Sequence, residues 1–261
     1  TKYFTEAIAY AEKITDDDFR FMSFGNIAVV LARAGRVDES TTLAEKITDD
    51  DFRPYPFSLI AQALAQTGKI DEAITIAEKI TDDDYRSFAF AAIVQALAQA
   101  GKIDEAIAYA EKITDDDSKS SAFIAIAQAL TRAGKTDEAT KYFTEAIAYA
   151  EKITDDDFRF MSFGNIAVVL ARAGRVDEST TLAEKITDDD FRPYPFSLIA
   201  QALAQTGKID EAITIAEKIT DDDYRSFAFA AIVQALAQAG KIDEAIAYAE
   251  KITDDDSKSS A

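Results

Sequence analysis

In the stretch YRSFAFAAIVQALAQAGKIDEAIAYAEKITDDD, which begins at Tyr85, large apolar residues recur at helical spacing. Phe90, Ile93, Val94 and Leu97 fall at i, i+3, i+4 and i+7 and predict one apolar stripe of an α-helix. Gly101, free to adopt positive φ, stops that helix. Ile103, Ala106, Ile107, Ala110 and Ile113 draw a second stripe, with Asp104 and Glu105 near the positive N-terminal end of its helix. The pattern predicts a hairpin: helix A, a glycine turn, then helix B of about ten residues. A helix that short is marginal alone in water and has to be held by stacking.

The hairpin closes on the phrase AEKITDDD, which recurs letter for letter at Ala11, Ala44, Ala77, Ala110, Ala150, Ala183, Ala216 and Ala249. Successive copies are 33 residues apart, except for one spacing of 40. A fixed period of that size is the signature of a solenoid, in which each unit covers its neighbour's apolar face. A longer period lies above it: residues 1–122 are identical to residues 140–261. A single continuous array over 1–261 is therefore expected, with a first unit at 1–139 and a second, truncated one at 140–261. Fifteen helices are expected, starting with a partial helix B over Thr1–Ile14.

Within the phrase, AEKI reads as the end of helix B, with a lysine near the negative C-terminus. Thr then breaks the helix, and T-D-D-D suits the N-cap region of the next helix A. Asp82 and Arg86 lie four apart, as do Asp16 and Arg20, Asp49 and Arg53, and Asp115 and Lys119, which predicts acid-before-base pairs at i, i+4. Two irregularities stand out. Pro54 and Pro56 are tolerable only in a first turn, so that helix A should begin near Asp51–Arg53. TKYFTEA (Thr140–Ala146) inserts seven residues, close to two turns, into helix B of the fourth repeat. Tyr142 or Phe143, Ala146, Ala150 and Ile153 then continue the stripe, on a helix longer by roughly 10 Å.

Composition narrows the chemistry. Cysteine and histidine are both absent, which excludes disulfides, thiolate catalysis and zinc–thiolate sites and removes the commonest general base. No glycine-rich phosphate loop is present, and every carboxylate that might be singled out for chemistry recurs from repeat to repeat. The chain is expected to be no enzyme and to need no cofactor. A formal charge of −20 argues against nucleic acid and anionic membrane as partners, and no apolar run is long enough to span a bilayer. Carboxylate triads suit calcium chemically, but the spaced D-x-D-x-D-G loop is missing and capping accounts for them.

GKIDEAIAYAEKI resembles the second half of a tetratricopeptide repeat. Gly101 and Ala106 sit where that family places its turn glycine and its best-known alanine, and Phe90, Ile93 and Leu97 where it places large apolar residues of helix A. The period of 33 instead of 34, the missing proline near the repeat end and Val94 in place of a small residue depart from the family pattern. The resemblance implies an all-α, right-handed superhelical solenoid of 33-residue helix-turn-helix repeats, with helices A lining a concave face that binds ligands. That face would present Gln62, Gln95 and Gln128, with Gln66, Gln99, Arg33 and Arg132 a turn further on, and Met22, Tyr55 and Phe88 near its edge. Gln201, Gln205, Gln234 and Gln238 repeat the pattern in the second copy. A glutamine ladder can bind extended backbone, because each amide both donates and accepts; glutamine is also simply a good helix former on a solvated face. The lysine and asparagine pattern with which some family members clamp a C-terminal carboxylate is absent.

Two functions follow. One is a structural scaffold that extends or assembles with copies of itself; the other is a module binding a partner peptide or protein on the concave face. The first and last residues fall inside hairpins. An interior piece of a longer array, meeting its neighbours head to tail, is the corresponding expectation.

Overall fold

A computed structural model describes residues 2–49, 52–188 and 190–258. The described residues form fifteen α-helices and no strand. They are α1 (Lys2–Ala11), α2 (Asp17–Arg33), α3 (Val37–Ala44), α4 (Pro54–Gln66), α5 (Ile70–Ala77), α6 (Asp83–Gln99), α7 (Ile103–Ala110) and α8 (Asp116–Arg132). There follow α9 (Thr136–Ala150), α10 (Asp156–Arg172), α11 (Val176–Glu184), α12 (Pro193–Gln205), α13 (Ile209–Ala216), α14 (Asp222–Gln238) and α15 (Ile242–Lys258).

The chain divides into two compact units, Thr1–Tyr142 and Phe143–Ala261. In the first, the long helices α2, α4, α6 and α8 each pack on the next, and the short helices α3, α5 and α7 pack on the long helices before and after them. In the second, α10, α12 and α14 are the long helices, α11 and α13 the short ones, and α15 packs on α14. Each unit is a helical solenoid of stacked hairpins.

The hairpin at α6 and α7 shows why. Phe90, Ile93, Val94 and Leu97 are all buried, so the predicted stripe is the core face of α6. Gly101 has φ +77°. Its N–H donates to the Ala98 carbonyl at 3.1 Å while the Lys102 N–H reaches back to Leu97 at 2.9 Å, a pattern that satisfies the last carbonyls of the helix. Helix B is eight residues long, shorter than the ten expected. Its stripe is also narrower: Ala106, Ala110 and the following Ile113 are buried, whereas Ile103 and Ile107 are only half-buried. These two isoleucines lie about 60° around the helix from the alanines. The alanines form the line of closest approach and leave the larger side chains at its margin.

Each letter of the repeated phrase has its own task. The alanine and isoleucine are buried, as at Ala77 and Ile80. The glutamate and lysine form a ladder between repeats that the sequence reading did not anticipate. Lys46 bonds Glu12 at 2.6 Å, Lys112 lies 3.5 Å from Glu78, Lys185 bonds Glu151 at 2.6 Å and Lys218 bonds Glu184 at 3.4 Å. Such exposed pairs contribute about 0–1 kcal/mol each, so the ladder aligns neighbours more than it holds them. Thr114 accompanies Ser87, whose buried hydroxyl accepts from the Thr114 and Asp115 N–H groups at 3.2 Å.

The irregularities are informative. Pro54 stands at the first turn of α4, one residue beyond the stretch expected to start it, of which Asp51 lies outside the described residues. Gly25 of α2 accommodates the second proline: a Cβ there would meet Pro56 Cγ at 2.9 Å. The seven-residue insertion makes α9 fifteen residues long, in keeping with the predicted lengthening. Both Tyr142 and Phe143 are buried, where the periodicity required only one. Tyr142 stacks on Phe123 with ring centroids 5.8 Å apart, and Phe143 lies under the Arg175 guanidinium at 5.1 Å. In the last copy of the phrase the helix does not break, and α15 runs on to Lys258. In the others the isoleucine is held by the next helix A, whose arginine often bonds its carbonyl. The break therefore depends on the neighbouring helix as well as on the phrase.

Candidate partner-binding face

In α2, α6, α10 and α14 the three aspartates at the start of the helix play three different roles. The first is the N-cap: Asp82 accepts from the Asp84 and Tyr85 N–H groups at 3.0 Å, and Asp16, Asp115, Asp155 and Asp221 do the same for their helices. The second pairs with the arginine three residues on, in Asp17–Arg20, Asp83–Arg86, Asp156–Arg159 and Asp222–Arg225. The expected i, i+4 pairs of Arg20 and Arg86 are thus corrected to i, i+3. The capping aspartate turns toward the helix N–H groups, which leaves the next one to the guanidinium. Each arginine also donates to the end of the preceding helix B, as Arg20 does to the Ile14 carbonyl at 2.9 Å and Arg86 to Ile80 at 3.2 Å. Lys119 lies 3.9 Å from Glu111.

In these four helices the third aspartate is left over. Asp18, Asp84, Asp157 and Asp223 are exposed, and none has a side-chain hydrogen bond or ion pair among the described residues. On α6 this acid shares a face with Phe88, Gln95 and Gln99, at i, i+4, i+11 and i+15. The corresponding positions of α2 are Asp18, Met22, Val29 and Arg33, of which Val29 is buried.

The candidate residues suggested by the family resemblance fall on these faces. Met22, Tyr55 and Phe88 are 56%, 53% and 41% exposed. Gln66, Gln95, Gln99, Gln205, Gln234, Gln238, Arg33 and Arg132 are exposed, while Gln62, Gln128 and Gln201 are half-buried. None of the glutamine amides has a hydrogen-bond partner among the described residues. Gln205, Gln234 and Gln238 share a recess of about 600 Å³ with Asp210 and Lys241. Gln99 and Arg132 share another of about 630 Å³ with Asp104, Lys135 and Glu138. Met22 and Tyr55 flank a groove of about 140 Å³ floored by Gly25 and Pro56.

A second aromatic position, not among those expected, lies three residues earlier: Phe19, Phe52 and Tyr85 are exposed there, as are the copies Phe158 and Tyr224, while Phe191 is half-buried. Tyr85 meets Tyr55 edge-on at 5.8 Å, and Phe52 lies 6.2 Å from Phe21. The available signal was an aromatic residue directly after DDD and off the buried stripe. The fourth repeat has Ser118 and Ser121 at the two positions, so the row stops there.

A profile described as tetratricopeptide repeat matches residues 58–122, 91–157 and 197–260, together more than half of the chain. The chain belongs to the tetratricopeptide repeat family. Such repeats make it a protein–protein interaction or scaffold module, and proteins of the family are generally non-enzymatic scaffolds. Among solved structures, this tetratricopeptide protein is similar to Ton1535 from Thermococcus onnurineus NA1, with 18% identity, a TM-score of 0.29, and coverage of 96% of this chain and 92% of that one. It is also similar to a signal transduction ATPase with numerous domains, PH0952 from Pyrococcus horikoshii, which has a tetratricopeptide repeat sensor. There the identity is 15% and the TM-score 0.42, and the match covers 95% of this chain but 42% of that protein. No curated protein sequence matches the chain. Among the described residues, no cluster of acidic side chains is arranged to hold a metal ion, and no helix is long and apolar enough to cross a membrane.

Proposed function

We propose that the exposed helix-A face of this tetratricopeptide module receives an extended segment of a protein partner, with the amides of Gln62, Gln95 and Gln128 pairing with its backbone. The observation that carries this reading is a row of amides with no partner of their own among the described residues, on α4, α6 and α8, the first two of which also expose Tyr55 and Phe88. Neighbouring helix axes lie about 8–10 Å apart, close to the rise of three residues of polyproline II, about 9 Å. An extended ligand can therefore meet one helix every third residue.

Peptides selected from a random library against the whole chain test this. They should protect α4, α6 and α8 from hydrogen exchange. Changing Gln62, Gln95 and Gln128 together to Ala should weaken them about tenfold, at about 0.5 kcal/mol net for each lost bond. Protection confined to the short helices α3, α5 and α7 would overturn the reading.

Self-assembly end to end has support of a different kind. Tyr3 and Tyr142 occupy the same place in the duplicated sequence, yet Tyr3 is 83% exposed and Tyr142 8%. Ile242 and Ile246 of α15 are likewise exposed, whereas their counterparts Ile103 and Ile107 are half-buried. Apolar faces that this sequence covers in one place and leaves open in another favour association. If α15 of one copy meets α1 of the next, the contact is head to tail and does not close on a dimer. Light scattering on the 261-residue chain should then show mass rising with concentration, and a constant monomer mass would rule this second reading out.

A further inference from the structure

We infer that the segment received by the helix-A face is cationic, with lysine or arginine side chains seated along the aromatic edge where the unpaired third aspartates stand. The inference rests on the docking reading above and names its partner class. The site is the exposed apolar row of Met22, Tyr55 and Phe88 beside Phe19, Phe52 and Tyr85 in the first unit, repeated in the second, where Phe191 alone of the row is half-buried. Charge selects the occupant.

Three features of the face point the same way. First, Asp84 follows the cap of a rigid helix, is one residue from Tyr85 and lies on the same helical face as Phe88. Asp18, Asp157 and Asp223 stand likewise in their repeats. A cation brought to this edge meets a fixed carboxylate and an aromatic ring together, and cation–ring contacts contribute about 0.5–1 kcal/mol even at exposed sites. The fold already makes such contacts elsewhere: Lys112 lies 4.5 Å over the Tyr109 ring and Lys152 3.8 Å over Tyr149. Second, these acids stand on alternate long helices, α2 and α6 in the first unit and α10 and α14 in the second, so that a segment crossing a unit meets such a carboxylate about every two helix widths, roughly 16–20 Å. Third, the other end of the same face carries Arg33 and Arg132 in the outer repeats of the first unit and neutral Gln66 and Gln99 between them. The acidic edge alone favours cations, which gives the groove a direction. A second copy of this chain suits the edge poorly, because its own formal charge is −20.

The same library selection provides the test, with two charge-matched variants of the whole chain. One carries Asp18→Asn, Asp84→Asn, Asp157→Asn and Asp223→Asn. The other carries Asp38→Asn, Asp71→Asn, Asp137→Asn and Asp177→Asn, which are exposed first-turn acids of helices B. Peptides selected on the unaltered chain should be enriched several-fold in lysine and arginine. They should lose about tenfold or more in affinity on the first variant and little on the second, and both variants should keep the parent's helical circular dichroism. Equal losses on the two variants would mean bulk charge alone and would overturn the inference. Selected peptides without basic enrichment that still protect α4, α6 and α8 would also overturn it and leave the docking reading standing. Protection confined to the short helices would remove both. A self-associated chain whose dissociation follows Phe88→Ser would make a second copy the occupant and overturn the inference as well.

Discussion

Phe143→Ala is expected to cost about 3–5 kcal/mol, and Phe4→Ala well under half as much, although the two residues hold the same place in identical sequences. Phe143 is among the largest fully buried side chains, on the long helix α9 and beneath the Arg175 guanidinium. Removing its ring leaves a cavity that the surrounding helices can fill only in part. Phe4 is half-buried on α1, which packs on α2. Arg36 covers its ring at 5.2 Å, nearly as Arg175 covers Phe143. The cation contact is thus matched, and the difference between the variants reports burial. Urea denaturation of the two variants, with hydrogen exchange read on α10 and α11 for one and on α2 and α3 for the other, gives the comparison. Equal losses would show that local sequence, and not the neighbours supplied by stacking, sets the contribution of this residue.

That contrast also explains which parts of the molecule were legible in the sequence. The core stripe of helix A, Phe90 to Leu97, was readable because its spacing alone selects one face of a helix. Gly101 was readable because only a residue free at positive φ ends a helix in that way. The lengthened α9 followed from counting, since seven residues return the chain to nearly the same face. The pairing of Asp83 with Arg86 was not readable, because positions three and four apart are both neighbours on a helix and the cap decides between them. The ladder of Lys112 on Glu78 and its relatives was hidden for another reason. Its partners are far apart in sequence, and only the stacking of hairpins brings them together. The continuation of α15 through the last AEKITDDD shows the same dependence on neighbours. On the candidate face, the glutamine positions came from the family resemblance, with no periodic signal of their own. Phe19, Phe52 and Tyr85 went unnoticed because they lie off the buried stripe that organised the reading.

Ala106→Phe is expected to destabilise by about 1–3 kcal/mol or somewhat more, with the damage confined to α6, α7 and α8. Ala106 is fully buried on α7. The first repeat measures the space available at this point, since it has Ser40 in the equivalent position. The Ser40 hydroxyl bonds the Ala28 carbonyl of the facing helix at 2.6 Å. One heavy atom beyond Cβ therefore already reaches the neighbouring backbone, and a phenyl ring has to push the helices apart or leave its rotamer. Ala106→Ser, by contrast, should be tolerated, because a hydroxyl there has an acceptor in the Val94 carbonyl that corresponds to Ala28. The spread of the disturbance follows from connectivity. Among the described residues α7 packs chiefly on α6 and α8, so the strain enters the rest of the unit mainly through them. In a quasi-one-dimensional array such a defect raises opening in its own and adjacent repeats and fades beyond them. Hydrogen exchange should accelerate in α6, α7 and α8 while α2 and α3 stay near their parent rates. A uniform acceleration through the unit would instead mean that it opens as one cooperative block, which nearest-neighbour stacking does not allow.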